Sequence, residues 1–104
     1  MIDALRKILQ LSEQILEAAE AQNWQAVETL QQQRELASEE TKLTDVPQDK
    51  DTSLQAEDLI RHISQIDEKS LVLIEANRQE LIKEKLQSNK RNKMARAYQN
   101  QPKY

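Results

Sequence analysis

The chain has no glycine, no cysteine and no phenylalanine, and its only prolines are Pro47 and Pro102. Without glycine it cannot build a P-loop or a dinucleotide-binding fingerprint, whose turns and close backbone approaches need a residue lacking Cβ. Without cysteine there are no disulfides and no thiolate zinc sites, and the lone histidine, His62, has no second imidazole to form a ligand pair. Cys-His catalysis is excluded for the same reason. A cysteine-free chain suits a reducing compartment. No apolar run approaches the roughly 20 residues of a membrane span, and the opening "MIDALRKILQLSEQ" lacks the layout of a signal peptide. The expectation is a cytoplasmic protein of one domain, residues 1–104, with no enzyme activity, metal or cofactor.

What is present is helix-forming. About a third of the 104 residues are charged, and Gln, Glu, Leu, Ala, Ile and Lys dominate. The first helix is expected over about 3–21, opened by Asp3. Ile2, Leu5, Ile8, Leu9, Leu11, Ile15, Leu16 and Ala19 cover about half its circumference at about 100° per residue, enough to touch two neighbours. The phase shifts at "AQNWQAV", where Asn23 can cap a second helix over about 24–42. That helix carries only a thin stripe of Trp24, Val27, Leu30 and Ala37, with Arg34 beside it. It must lean on the first through a tight hairpin, with Trp24 packed at the corner.

"TDVPQDKDTS", residues 44–53, reads as a loop around Pro47, and Thr52 with Gln55 reads as a capping box for a third helix over about 54–88. Leu59, Ile60, Ile63, Ile66, Leu71, Leu73, Ile74 and Leu81 fall on one side of it. Ser70 and Asn77 interrupt that stripe, and Asp67 and Arg78 flank it. Asp67 and Glu68 point about 100° apart and cannot converge as paired carboxylates. Asp67, Arg34 and Arg78 are instead expected to form ion pairs across a bundle. At about 1.5 Å per residue the third helix outruns the other two by about 20 Å, so something must cover its apolar positions around Leu73 to Leu86.

Charge is distributed unevenly. Residues 1–53 carry five basic and eleven acidic residues, and from Lys85 onward there are six basic residues and no acid. The run is short for a nucleic-acid grip and has little apolar surface for a membrane grip. Met94, Ala97 and Tyr98 lie on one side of a short fourth helix, expected over about 90–101. Burying Met94 and Tyr98 over helix three yields on the order of 3 kcal/mol before ordering costs, a cover weak enough to be displaced.

The ordered set of "LRKILQLSEQILEAAEAQNWQAV", "LQQQREL", "ISQIDEKSLVLIEANRQEL" and the closing "KRNKMARAYQ" resembles the FliT family of flagellar type III export chaperones across nearly the whole chain. The resemblance implies an all-α antiparallel bundle of three main helices with a short C-terminal fourth. It further implies binding of the filament-cap protein, FliD, before export, prevention of its premature assembly and delivery to the export apparatus. Components of the export ATPase complex and the flagellar master transcription regulator are implied as further partners. Carried onto this chain, the client surface comprises Leu73, Ile74, Leu81, Ile82 and Leu86. The regulatory segment comprises Lys90, Arg91, Met94, Ala97 and Tyr98. Two other readings stay open: a structural adaptor that homodimerises through helix three, and a protein that binds DNA or a transcription regulator through the basic tail. The chain is expected as a monomer or homodimer.

Overall fold

The computed structural model describes the backbone of residues 1–43 and 47–99, and side chains of 1–43 and 47–91. The described residues are helical, with three elements in the order α1 (Ile2–Glu20), α2 (Trp24–Lys42) and α3 (Lys50–Gln99), and no strand. They divide into two compact units, Met1–Leu73 and a second beginning at Ile74.

The first unit is an antiparallel three-helix bundle. Leu5, Ile8, Leu11, Ile15 and Ala19 of α1 are buried, recurring every three or four residues as a helical stripe requires. Leu5, Ile8 and Leu11 join Ala37 of α2 and Ala56 of α3 in one core cluster, with Met1, Ile2, Leu30, Leu59 and Ile63 packed partly buried against it. The direction of α2 follows from Lys7, near the start of α1, pairing with Glu40, near the end of α2, at 3.6 Å. Outside α1 the fully buried apolar residues are small: Val27, Ala37 and Ala56. Small side chains let the backbones approach closely, but they remove little apolar area from water. Trp24 is half-buried at the hairpin corner.

The α1–α2 connection shows how a glycine-free chain turns. Asn23 donates its amide to the Ala18 carbonyl at 2.9 Å and Gln22 to that of Ala19 at 3.0 Å, the paired bonds of a Schellman motif. That motif needs one residue in the left-handed region. Gln22 occupies it at φ 58°, where a Cβ is sterically opposed. Asn23 then caps α2, its side-chain oxygen accepting from the Ala26 amide at 3.3 Å.

Three expectations about helix ends are corrected. Asp3 does not cap α1: Met1 holds that position without a side-chain bond, and Asp3 sits in the first turn, favoured by the helix dipole. Thr52 does not cap α3 either. Asp49 does, its carboxylate accepting from the Thr52 amide at 3.0 Å and hydroxyl at 2.6 Å, so residues 50–53 are helix rather than loop. Finally, α3 does not end near Ser88. It continues to Gln99, so residues 90–99 extend it instead of forming a separate fourth helix, and 100–101 lie outside the described residues. No glycine or proline occurs between Pro47 and Pro102, so nothing in the chain forces the amide ladder to stop.

Within the second unit, α3 is supported locally. Arg78 pairs with Glu75 at 3.9 Å, Lys83 with Glu80 at 4.0 Å, and Gln79 donates to Glu75 at 3.1 Å. Each such contact is worth about 0.2–0.5 kcal/mol to a helix.

Two predictions follow from the caps. Gln22→Gly removes the Cβ from a left-handed position and is expected to stabilise the bundle by about 1 kcal/mol, measured as a rise in thermal midpoint. The Thr52 hydroxyl, and then its amide, hold the exposed Asp49 carboxyl below its ordinary value. A carboxyl depressed in the folded state stabilises above its unfolded pKa. That contribution fades as the pH falls through the ordinary carboxylate range near 4 and on through the lower folded value. Amide exchange at the first turn of α3 should therefore accelerate in acid, corrected for intrinsic rates, and Asp49→Ala should abolish that pH dependence.

Candidate functional site

One polar contact ties all three helices of the first unit together. Arg34 projects from α2 into the bundle, donating to the Ser12 hydroxyl of α1 at 3.3 Å and to the Asp67 carboxylate of α3 at 2.5 Å. Ser12 lies on the buried stripe of α1 between Ile8 and Ile15 and is fully enclosed. The Arg34–Asp67 pair retains roughly a third of its side-chain exposure. Arg34 and Asp67 were expected to pair across the bundle and do so with each other. Ser12 went unnoticed, although its spacing on the Leu5–Ile8–Ile15–Ala19 stripe was the available signal. Arg78 is corrected: it pairs within its own helix, with Glu75. One turn beyond Asp67, the Ser70 hydroxyl is buried without a hydrogen-bond partner.

This layer has the ingredients of structure rather than of chemistry. A serine whose oxygen accepts from an arginine has no base beside it to activate it as a nucleophile. His62 is exposed, and among the described residues no group of three or more His, Cys, Asp or Glu side chains is placed to hold a metal. An open groove along Asn23, Gln25, Ala26, Thr29 and Leu30 at the start of α2 brings together no titratable group.

The second unit presents a different surface. Leu81 is 56% exposed, Ile82 43% and Leu86 63%, values far above those of core residues. Ile74 is half-buried, and its i, i+7 relation to Leu81 places the two on one face, with Ile82 and Leu86 continuing around it. Arg78 lies inside this group, one turn from each of Ile74, Leu81 and Ile82, and Lys85 repeats it two turns along. Leu73 stands apart: it closes the first unit, is half-buried there, and projects about 100° away from Ile74. Lys90 and Arg91 are exposed. The side chains of Met94, Ala97 and Tyr98 lie outside the described residues. Ile74 and Leu81 were legible from apolar periodicity and Leu86 from the overhang of the third helix, whereas Ile82 entered only with the family resemblance. The cations among them were not, because Arg78 was read as a bundle ion-pair partner and Lys85 only as the first residue of the basic run.

The first unit carries a structural polar layer, and the second exposes an apolar strip. No helix among the described residues is long and apolar enough to cross a membrane. The family described as flagellar protein FliT matches residues 2–100, essentially the whole chain. This chain belongs to the FliT family, whose members are flagellar export chaperones. No curated protein and no solved structure matches it.

Removing half of the Arg34–Asp67 pair leaves the other ion partly enclosed and unpaired. Arg34→Met or Asp67→Leu alone is expected to cost about 1–3 kcal/mol, discounted for the remaining solvent access, and the double variant less than the sum of the two. Urea unfolding of the four proteins of that cycle measures the coupling. Additive costs would show that the contact does not tie α2 to α3.

Proposed function

We propose that this chain is the cytoplasmic export chaperone of the filament-cap protein FliD, holding it unassembled and delivering it to the export apparatus. Family membership supports the class of function. The observation that carries the reading is the exposed strip of Leu81, Ile82 and Leu86, continued by Ile74. Three large aliphatic side chains within six residues of one helix, all substantially exposed, are what helix-in-groove or helix-on-helix recognition requires of a binding surface. A client helix laid on this strip removes it from water at about 25 cal/mol per Å² of apolar surface, and masks the client's own apolar face from self-assembly. Components of the export ATPase complex, and the flagellar master transcription regulator, belong to the same reading as later partners.

The segment from Lys90 to Gln101 is the regulatory part of the proposal, with Lys90, Arg91, Met94, Ala97 and Tyr98 as its contacts. A backbone that continues α3 through Gln99 runs on from Leu81 and Leu86 and does not fold back over them. The restraint therefore operates through a second conformation in which α3 opens at Ser88–Asn89, two adjacent residues of modest helix propensity. The client then competes with the folded-back segment for one strip.

Calorimetric titration of the carboxyl-terminal segment of the cognate cap protein tests both parts. Leu81→Asp places a carboxylate in the contact and is expected to weaken binding at least about tenfold, with thermal unfolding unchanged because Leu81 is exposed. Truncation after Asn89 is expected to tighten binding about tenfold, the equivalent of about 1.4 kcal/mol of removed competition. Unchanged affinity on truncation would discard the restraint and keep the chaperone. Absence of binding by every form would discard the chaperone and favour a homodimerising adaptor.

A further inference from the structure

Two cations stand within the apolar strip of the second unit. Arg78 lies one turn from Ile74, Leu81 and Ile82, and Lys85 lies one turn from Leu81 and Ile82 on its other side. Their separation of seven residues puts them on one face, two turns or about 10.5 Å apart. Their electrostatic situations differ. Arg78 already reaches Glu75 of its own helix at 3.9 Å. Lys85 has Leu81, Ile82, Ser88 and Asn89 as its one-turn neighbours, and no carboxylate pairs with it among the described residues. Glu84 adjoins it in sequence but projects about 100° away. Beyond Glu84 the chain has no acid at all.

An aliphatic strip with charges only at its margins accepts an apolar partner and leaves its lysines in water. Here a partner helix seated on Leu81 and Ile82 passes over Lys85, removing water from an ammonium that its own protein does not pair. That cost is offset only if the partner supplies a carboxylate.

We propose, resting on the client-binding reading above, that the strip selects an acidic amphipathic helix. Its apolar anchors pack on Ile74, Leu81 and Ile82, and carboxylates two turns apart meet Lys85 and Arg78. A second copy of this chain is a poor occupant, because its equivalent face brings the same two cations and only Glu75, already engaged. Duplex DNA matches the cations but offers nothing to Leu81 and Ile82 between them. Charge complementarity thus supplies selectivity and association rate, while the aliphatic contact supplies most of the affinity.

The test uses two synthetic helical peptides with identical leucine anchors, one carrying glutamate and the other glutamine at two positions two turns apart. Each is titrated by fluorescence anisotropy against the full-length protein at low and high salt. The glutamate peptide is expected to bind about tenfold tighter at low salt, with most of that advantage lost at high salt. Lys85→Gln should remove most of the advantage without changing affinity for the glutamine peptide. Lys69→Gln, an exposed lysine of the first unit, should leave the advantage intact.

Equal affinities, no binding of either peptide, or an advantage that survives Lys85→Gln would overturn the proposal. So would displacement of the glutamate peptide by duplex DNA at matched charge, or a stable dimer that Leu81→Asp dissociates. If the cap-protein segment binds but ignores Lys85→Gln, this inference fails while the chaperone reading stands. If the glutamate peptide is selected through Lys85 but the cap-protein segment does not bind, the reverse holds.

Discussion

The bundle of the first unit depends on a single arginine. Arg34 is the one side chain of α2 that bonds to both other helices, through the Ser12 hydroxyl and the Asp67 carboxylate. Its importance comes from the thinness of what surrounds it. Among the described residues, Ala56 is the one buried apolar residue of α3 and Val27 and Ala37 are those of α2, so α1 provides most of the large buried aliphatics. Apolar contact of that kind is tolerant of register, because one small side chain replaces another at little cost. A guanidinium with two fixed acceptors is not tolerant. It sets the register of α3 against the hairpin at Asp67.

The absence of glycine shapes the rest. The hairpin turn forces Gln22 into a left-handed conformation, and the start of α3 relies on Asp49 rather than on a flexible loop. Neither glycine nor proline interrupts the chain between Pro47 and Pro102, and α3 extends from Lys50 to Gln99. One long helix with a polar clamp near its first half and an aliphatic strip in its second assigns the two roles to different stretches. Residues up to Leu73 make a bundle; residues from Ile74 offer a surface.

Much of this was legible before any coordinates. Asn23 as a cap, Pro47 as a break and the Leu5–Ala19 stripe follow from local stereochemistry, which neighbours seldom override. Asp49 and Thr52 were harder because both residues are good caps, and the choice depends on which lets the first turn close on Pro47 and Ser53. The sequence left the end of α3 open near Ser88, and the helix continues past it to Gln99. Propensity costs only tenths of a kcal/mol per residue, too little by itself to stop a helix.

From the sequence alone came the helical class, the hairpin and its Asn23 cap, the exclusion of P-loop, thiolate and disulfide chemistry, and most aliphatic positions of α3. These are properties of residues within a turn or two of one another. Tertiary structure decided that Arg34 meets Ser12 and Asp67 rather than another of the 18 acidic residues, and that Ser12 and Ser70 are enclosed. It also decided which large aliphatics remain exposed. Those outcomes depend on where three helices cross, and a crossing brings together residues 22 and 33 positions apart whose spacing carries no local signal.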